Sequence, residues 1–576
     1  MWSSALHFVL PVFSVAWALL KLCESLRRRL ANSDKAIENL PGPPPLSFWR
    51  GNFDQIFDDN AWDFHKDIAL TYGNVIRVRG PLGTNQLFVF DPKAMQHLVV
   101  KDQHIYEEAT HFVAGNNVIF GAGLLSTLGD HHRRQRKMLN PVFSIAHMKG
   151  MVPLFYSVTS KLRDTLALKV SSRPTEIEMH AWLSRTALEL IGQSGLGYSF
   201  DSLTDDGHQH PYSSSVKALS GTFVELLFAR HYFFPLVYKI GSRRFQRFVV
   251  DMLPWRSLHD LRDIVDCLHK TSSEIFEAKK KALYQGTEDK EVGGGKDIIS
   301  VLMSANMNAS EADRLPDSEV IGQMSTLTFA AMDTTSSALS RILWLLSKHP
   351  HVQEKLRQEI CQVHAEHGDL GYDDLVALPY LDAVCRETLR LLVLHLSFRF
   401  KLNFSLIRYP PIATLTREAR HECILPLSKP VRGLDGQEMT EVLVPKNTKI
   451  YLSVISSNRN PDLWGPDSFE WKPERWLSPL PESLNEAKIP GVYSNLMTFL
   501  GGGRACIGFK FSQLEMKVVL CVLLQSFRFS LPRDKNIFWK MTGISKPGVE
   551  GEQICGTDPA QPKLPLVVSV LDAGRL

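Results

Sequence analysis

Cysteine is scarce in this sequence, with eight residues in 576, and no two of them form a C-x-x-C pair. This scarcity excludes a small secreted domain held together by disulfides and favours a reducing compartment. Net charge is also low, because 65 basic residues stand against 61 acidic ones. A nucleic-acid-binding protein that depends on bulk positive charge is therefore excluded. Apolar residues make up 44% of the chain, which excludes the disordered and fibrous classes.

Charged residues are missing from the first 20 positions, where Phe8 to Leu20 is mostly apolar, and Arg27-Arg28-Arg29 follows. About 20 apolar residues can span a bilayer, and basic residues next to such a span stay in the cytosol. A cleaved signal peptide is the alternative, since Ala16-Trp17-Ala18 resembles a cleavage site, but it would carry basic residues before the apolar run. We predict a membrane anchor over residues 1–25, with the rest of the chain in the cytosol.

The next stretch is basic and proline-rich. Residues 26–50 include Pro43-Pro44-Pro45, which favours a stiff extended conformation, so we expect a linker here. Residues 51–576 are expected to form one large domain. Apolar residues recur in it mostly at helical spacing, which predicts a mainly α fold with minor β structure. The clearest patterns are a long helix that starts at Asp317 and stops at His349-Pro350, helices at Pro350 to His364 and Tyr380 to Leu391, and short strands at Val75 to Val78 and Leu87 to Phe90.

Cys506 has a setting that the other cysteines lack. Gly501-Gly502-Gly503 and Arg504 precede it, and Gly508 follows. Glycines let a backbone approach a flat partner and turn its amides toward one sulfur, while amide donors and an arginine stabilise a thiolate. A buried structural cysteine is the alternative interpretation. A phosphate-binding loop is not favoured, because the segment fails the G-x-G-x-x-G pattern and no G-K-S/T follows.

The segment from Phe499 to Gly508 fits F-x-x-G-x-R-x-C-x-G at every fixed position. It resembles the haem-binding signature of the cytochrome P-450 haem-thiolate monooxygenases. The resemblance implies the cytochrome P-450 fold, a single large haem domain behind the anchor, with haem b as the cofactor. It also implies that the Cys506 thiolate binds the haem iron. The other cofactor-binding residues that this signature implies are Phe499, Gly502, Arg504 and Gly508.

Two further segments resemble motifs of the same family. Glu387 and Arg390 match E-x-x-R, and their i, i+3 spacing puts both on one helix face, where they can pair. Pro473-Glu474-Arg475-Trp476 resembles the family's downstream P-E-R-F/W segment, whose arginine joins that pair. The resemblance assigns Glu387, Arg390 and Arg475 a structural role beneath the haem loop. A solvated surface pair is the alternative.

The middle of the long helix contains Ala330-Ala331-Met332-Asp333-Thr334-Thr335, which resembles A/G-G-x-D/E-T-T/S with Ala331 where glycine is usual. A threonine in mid-helix can donate to a backbone carbonyl and open a groove. An acid beside an alcohol can relay protons. We therefore expect Asp333 and Thr334 to be catalytic, the alternative being a polar patch on a buried helix.

A basic run at residues 131–137 contains His132 and Arg136, which keep the spacing of the family's W-x-x-x-R. Arg417 resembles a second arginine of the family. The resemblance implies that all three donate to the haem propionates, and arginine forms strong hydrogen bonds to carboxylates. Histidine in place of tryptophan departs from the pattern. A solvated helix face is the alternative for this run.

The activity implied by the resemblance is insertion of one oxygen atom of O2 into a lipophilic organic substrate, by hydroxylation or a related oxidation. Electrons would come from NADPH through a membrane-bound NADPH-cytochrome reductase. The chain is similar to fungal members that are anchored in the endoplasmic reticulum membrane by one helix, and we expect a role in secondary metabolism. Two alternatives stay open: a haem-thiolate isomerase or dehydratase, and a catalytically inactive haem protein.

Aromatic residues are concentrated between Phe223 and Trp255. The family's substrate-channel lid, in contact with the membrane, is one interpretation, and ordinary core packing is the other.

An anomalous insertion separates the E-x-x-R motif from Tyr409-Pro410-Pro411. Removing residues 392–408 would join Arg390-Leu391 directly to that motif, as the family has it. Apolar and polar residues alternate from Leu394 to Leu406, which is typical of a strand, so an extra strand near the substrate pocket is one interpretation. A strand of this length without a partner is an aggregation hazard. We therefore favour an unspliced intron translated in frame.

Overall fold

The computed structural model describes residues 35–58, 60–205, 210–286, 295–391, 414–541, 544–551 and 562–571. The predicted anchor at 1–25 and the insertion at 392–408 lie outside the described residues. No helix in these ranges is both long enough and apolar enough to cross a membrane.

Helices dominate the fold, as the apolar spacing predicted. The helices of the N-terminal half are α1 (Lys35–Glu38), α2 (Phe53–Ile56), α3 (Trp62–Tyr72), α4 (Pro92–Gln96), α5 (Thr110–Phe120), α6 (Gly129–Leu139), α7 (Ile145–Val170), α8 (Met179–Ile191), α9 (Pro211–Glu225), α10 (Leu227–Tyr232), α11 (Phe234–Val237), α12 (Arg243–Met252) and α13 (Arg256–Gln285). Those of the C-terminal half are α14 (Ile298–Met307), α15 (Asp317–Lys348), α16 (Pro350–His367), α17 (Tyr372–Ala377), α18 (Pro379–Arg390), α19 (Val454–Asn458), α20 (Pro461–Trp464), α21 (Glu482–Ala487) and α22 (Phe509–Ser526).

The β structure is minor and lies in small sheets. The strands are β1 (Val75–Arg79), β2 (Asn85–Val89), β3 (Tyr106–Glu108), β4 (Thr175–Glu178), β5 (Thr414–Ala419), β6 (Cys423–Arg432), β7 (Glu438–Val444), β8 (Lys449–Ser453), β9 (Phe527–Ser530), β10 (Ile537–Lys540), β11 (Lys546–Val549) and β12 (Pro565–Val570). The largest sheet has the order β1-β2-β8-β5-β3, in which only β2 and β8 run parallel. Strand β12 joins β4 to β9, while β6–β7 and β10–β11 form separate antiparallel pairs.

Helix α15 forms the centre of the molecule. It packs against α8, α13 and α22, and α22 also packs against α7. Most of its residues are buried on all sides, which is why its sequence is apolar beyond a single stripe. It ends at Lys348, because Pro350 cannot continue it, and α16 begins there. The predicted boundaries of this helix are therefore confirmed.

The described part of the predicted linker is docked on the domain. Leu40 is fully buried, and the Pro41 carbonyl accepts from the Arg77 amide of β1 at 3.0 Å. The Asn52 side chain donates to the Pro44 carbonyl at 2.8 Å. Residues 35–45 therefore continue the folded body, although their prolines predicted a spacer.

Candidate functional site

The Cys506 loop runs between a short 3-10 turn at Met497–Phe499 and the start of α22. The Cys506 amide donates to the Phe499 carbonyl at 2.8 Å. The Arg136 side chain of α6 donates to the Ala505 carbonyl at 2.6 Å. Leu500 holds a φ of 56°, a region that L-residues seldom occupy. Such strain persists only where the surroundings fix the backbone, as these hydrogen bonds do.

The glycines of the loop face protein atoms at one end and open space at the other. A Cβ at Gly501 would collide with the Pro490 carbonyl, and one at Gly502 with the Val99 carbonyl. The Gly503 amide donates to the Gln103 side chain at 2.7 Å, which leaves no room for a Cβ there. A Cβ at Gly508, by contrast, would meet nothing within 4 Å. The first three glycines thus let the loop pack closely against protein, whereas space for a ligand exists beside Gly508.

The Cys506 side chain is solvent-accessible although dense protein surrounds it. Burial raises the pKa of its thiol, while a hydrogen bond from the Gly508 amide and the charge of Arg136 act in the opposite direction. The residue is thus accessible to a ligand, although the surrounding protein raises the pKa of its thiol. An amide donor and a nearby arginine are the features that favour a thiolate.

Basic side chains gather beside the loop. Arg504 donates to the carbonyl of Thr127 at 2.8 Å, and Arg417 of β5 donates to the Glu108 carboxylate at 2.6 Å. The positive charges of Arg504 and Arg136 help burial to lower the pKa of His132 to about 3, so His132 is neutral at physiological pH. Arg417 is fully buried, and its Nη2 has no hydrogen-bond partner within the part of the chain that the structure describes. This arrangement suits an anionic group with more than one carboxylate.

Helix α15 carries Asp333 and Thr334 in its buried middle. The Thr334 hydroxyl donates to the Ala330 carbonyl at 2.7 Å, which is the back-bond expected for a threonine in mid-helix. Asp333 is buried and forms an ion pair with Lys546 at 2.9 Å. Asp333 and Thr334 therefore lie together on α15, as predicted. Nothing in the sequence indicated, however, that Lys546 would pair with the Asp333 carboxylate.

Lys546 begins β11, and the β10–β11 hairpin is docked along α15. The Ser337 hydroxyl donates to the Ser545 carbonyl next to Lys546. The guanidinium carbon of Arg341 lies 4.5 Å from the ring centroid of Trp539 on β10. His180 of α8 lies close to the Asp333–Lys546 pair, and burial with the Lys546 charge lowers its pKa to about 3. No motif in the sequence marks Lys546, which lies more than 200 positions from Asp333.

Glu387, Arg390 and Arg475 meet in the interior. Arg390 donates two hydrogen bonds to the Glu387 carboxylate, at 2.7 and 2.9 Å, and both side chains are fully buried. Arg475 approaches the same carboxylate at 3.4 Å. The amide of Lys472 and the indole of Trp476 also donate to it. The solvated surface pair is therefore the wrong interpretation.

A short hydrogen-bond chain connects this cluster to the Cys506 loop. Arg390 donates to the Asn458 carbonyl at 3.1 Å. The Asn458 side chain donates to the Thr498 hydroxyl at 2.9 Å and accepts from the Met497 amide at 2.9 Å. Thr498 directly precedes Phe499, whose carbonyl accepts from Cys506. The buried charges thereby fix the base of the loop.

Comparison with known proteins identifies the family to which this chain belongs. The family model described as Cytochrome P450 matches residues 41–397 and 427–550. The chain belongs to the cytochrome P450 family. Cytochrome P450 monooxygenases 91 and 81 of Postia placenta are each 49% identical to it. The similarity to monooxygenase 91 extends over 94% of this chain and 96% of that relative. The similarity to monooxygenase 81 extends over 96% of this chain and 97% of that relative. A ganoderic acid synthetase of Ganoderma lucidum is 42% identical over 93% of this chain and 94% of its own.

Membership of the cytochrome P450 family makes this chain an oxidoreductase, a monooxygenase that carries haem with a cysteine thiolate as axial ligand. Residues of the site fit such a group. Cys506 is accessible, a Cβ at Gly508 would meet no atom within 4 Å, and Arg417 has a buried donor without a partner among the described residues. Members of the family act on an organic substrate with O2 and take electrons from a reductase.

Proposed function

We propose that this cytochrome P450 hydroxylates, or oxidises in a related way, a lipophilic substrate of secondary metabolism. The observation that carries the proposal is the thiolate-favouring cysteine with Arg136, Arg504, Arg417 and His132 gathered beside its loop. The acid–alcohol pair on the buried helix α15 adds support. NADPH would supply the electrons through an NADPH-cytochrome reductase. The relative named ganoderic acid synthetase supports a product of secondary metabolism.

Several residues of the chain have separate proposed roles in binding the haem. Cys506 is the proposed axial ligand, and the haem, when bound, supplies the chemistry that transfers one oxygen atom of O2 to the substrate. Phe499, which packs between Tyr493 and Phe509, fixes the loop on the cysteine side. The proposed donors to the propionates are His132, Arg136 and Arg417. Arg504 and Gly508 are proposed as further residues of the haem site, whereas Gly502, also expected there, faces the Val99 carbonyl and serves the packing of the loop. His132 donates as a neutral imidazole, which is weaker than an arginine.

Asp333 and Thr334 are the proposed proton relay. The Thr334 hydroxyl is held against its own helix, and Asp333 is oriented by the Lys546 ammonium group. Lys546 is a positioning residue here, since it acts through the carboxylate of Asp333. A haem-thiolate isomerase needs no such relay, so the pair favours a monooxygenase. A reduced carbon-monoxide spectrum followed by NADPH consumption with reductase separates the monooxygenase from an isomerase and from an inactive haem protein.

Thr334→Ala is expected to retain haem and to lower product formation by about 10²-fold, because a relay group contributes roughly that much. Reducing equivalents should then leave as hydrogen peroxide. The measurement is product and peroxide per NADPH consumed, with the carbon-monoxide spectrum as the test of haem loading.

Thr328→Ala is the matched control for this variant, because the Thr328 hydroxyl makes the same back-bond on α15, to the Met324 carbonyl at 2.8 Å. Lys546→Met should also lower the product yield, and Lys546→Arg should restore part of it by keeping the ion pair. Equal product per NADPH in Thr334→Ala and the parent would assign Thr334 to packing.

We also propose that the chain is held at the endoplasmic reticulum membrane by residues 1–25, with the catalytic domain in the cytosol. A second contact is supported by α12, none of whose residues is buried. Phe245, Phe248, Val249 and Met252 are all exposed on it, at helical spacing. An apolar face of this kind suits the membrane interface. Of the aromatic stretch, Phe223 packs inward on Phe329, as the core-packing interpretation has it, while contact of α12 with the membrane stays a proposal.

Deleting residues 1–30 should release much of the protein from membranes, and adding Phe245→Asp with Phe248→Asp should release most of the remainder. Sedimentation with membranes measures both steps. Leu168→Asp changes an equally exposed apolar residue on α7 and should have no effect. A glycosylation tag inserted at residue 294 reports sidedness, and its modification would show that the body lies in the lumen.

Residues 392–408 are proposed to be a translated intron. The proposal rests on the break that the segment makes between Leu391 and Tyr409-Pro410-Pro411. The family-model match includes residues 392–397 and leaves 398–426 unmatched, which covers β5 as well, so its gap does not mark the ends of the segment. A chain without these residues should load haem better, because α18 with Arg390 and β5 with Arg417 would then be joined by a short connection. Sequencing the transcript is the measurement, and a main form that keeps the segment and yields haem-loaded protein would contradict the splicing account.

A further inference from the structure

Arg230 on α10 lies against an aromatic wall that leads to the relay. Its guanidinium carbon is 4.1 Å from the ring centroid of Phe223. Phe223 packs on Phe329 of α15 with their ring centroids 5.6 Å apart, and Phe120 lies 5.4 Å from Phe329 on another side. Phe329 directly precedes Ala330, whose carbonyl accepts from Thr334. The wall thus connects Arg230 with the segment of α15 that carries the relay.

No acidic side chain among the described residues offsets the charge of Arg230. Burial is the cause that lowers its pKa to about 10. Its Nε is buried and has no hydrogen-bond partner in the described chain. The residue as a whole is only half-buried, so part of its side chain remains accessible to a ligand. An arginine without a counter-charge is costly to bury, because it stays protonated.

Two residues of α5 border Arg230, a glycine that the guanidinium lies against and a histidine with a buried polar atom. Gly115 of α5 faces the guanidinium, and a Cβ there would lie 3.2 Å from the Arg230 Nε. His111, on the same helix, is buried, and its Nδ1 has no partner in the described part of the chain. The His111 ring stacks on His231 with centroids 3.9 Å apart, and the Arg230 charge adds to the burial that keeps both imidazoles neutral.

We propose that Arg230 is the anchor for a carboxylate on the lipophilic substrate, with the aromatic wall of Phe120, Phe223 and Phe329 holding the apolar remainder. The proposal rests on the proposed function and names its substrate class. A guanidinium presents parallel donors that match the two oxygens of a carboxylate. The neutral His111 imidazole can add a third donor through Nδ1, in the tautomer that carries its proton there. Substrate binding would then supply the counter-charge that Arg230 does not find among the described residues.

The test compares acids with their methyl esters on haem-loaded protein at neutral pH. The probes are palmitic acid and oleanolic acid, each with its methyl ester, and the readouts are calorimetric affinity and the change in haem absorbance on binding. The parent should bind at least one acid about 10-fold or more tighter than its ester, as expected for a charge-assisted pair. Arg230→Met should abolish this preference while leaving ester affinity unchanged, and Arg230→Lys should keep part of it.

Two further variants make the result specific. Gly115→Val should weaken acid binding by displacing the guanidinium, even though Arg230 itself is intact. Arg173→Met, at an exposed position, should retain the full preference. Acids that bind no better than their esters, or a preference that survives in Arg230→Met, would overturn the proposal. A parent chain without the thiolate-type carbon-monoxide band would instead refute the proposed function, so the two failures are distinguishable.

Discussion

Replacing Cys506 with histidine should abolish the long-wavelength carbon-monoxide band that gives the cytochrome P450 family its name. That band requires a thiolate opposite the bound gas, and an imidazole on the same loop cannot supply one. The loop should still fold, because its backbone is held by Phe499, Arg136 and Gln103 rather than by the sulfur. The measurement is the difference spectrum of the reduced protein with and without carbon monoxide, and the loss should be complete, together with all NADPH-dependent product.

The matched control is Cys361→His, which changes a half-buried cysteine on α16. Burial raises the pKa of that thiol, and no glycine loop surrounds it, so its loss should leave the spectrum unchanged. An unchanged band in Cys506→His would remove Cys506 from the haem site.

Glu387→Ala is expected to prevent haem loading by disordering the base of the Cys506 loop. Glu387 accepts from Arg390, Arg475, the Lys472 amide and the Trp476 indole, and its side chain is fully buried. Although Arg475 keeps its ion pair with Asp467 at 2.8 Å, removing the carboxylate leaves Arg390 buried without its acidic partner, at a cost of about 3–5 kcal/mol. That is a large part of a typical folding free energy. Haem content per polypeptide and the midpoint of urea unfolding should both fall.

An exposed pair of the same spacing provides the control. Asp130 and Arg133 also stand at i, i+3 on a helix, but their side chains are 92% and 79% exposed. Asp130→Ala should change the free energy of unfolding by less than about 1 kcal/mol, because solvent screens such pairs. If Glu387→Ala loads haem as well as Asp130→Ala does, the cluster does not support the loop.

Local patterns in the sequence predicted much of the fold and part of the site. The start and end of α15 follow from apolar spacing and a proline, and the Glu387–Arg390 pair follows from one helical turn. The Lys546–Asp333 pair could not be predicted in this way. It depends on how a C-terminal hairpin docks on a central helix, and no spacing rule covers residues so far apart in the chain.

The loop glycines illustrate a different limit of sequence analysis. Their pattern predicted a close approach of the backbone to a flat partner, but Gly501, Gly502 and Gly503 instead lie against other parts of the protein. In the structure, a side chain at Gly501 or Gly502 would collide with the carbonyl of Pro490 or Val99. Only the position of Gly508 has open space beside it among these three glycines. Arg230 was missed for a similar reason, since its lack of an acidic neighbour is a property of the packed interior and not of the residues next to it in sequence.

The docked hairpin constrains how this gene can change. Connections between strands usually tolerate insertions and deletions well. Here Lys540 and Lys546 are partners in the β10–β11 register, and Lys546 must also reach Asp333. Side chains alternate between the two faces of a strand, so a slip of one residue would turn Lys546 away from α15. We therefore expect related chains to keep the length of this turn far more strictly than the identities of the residues within it.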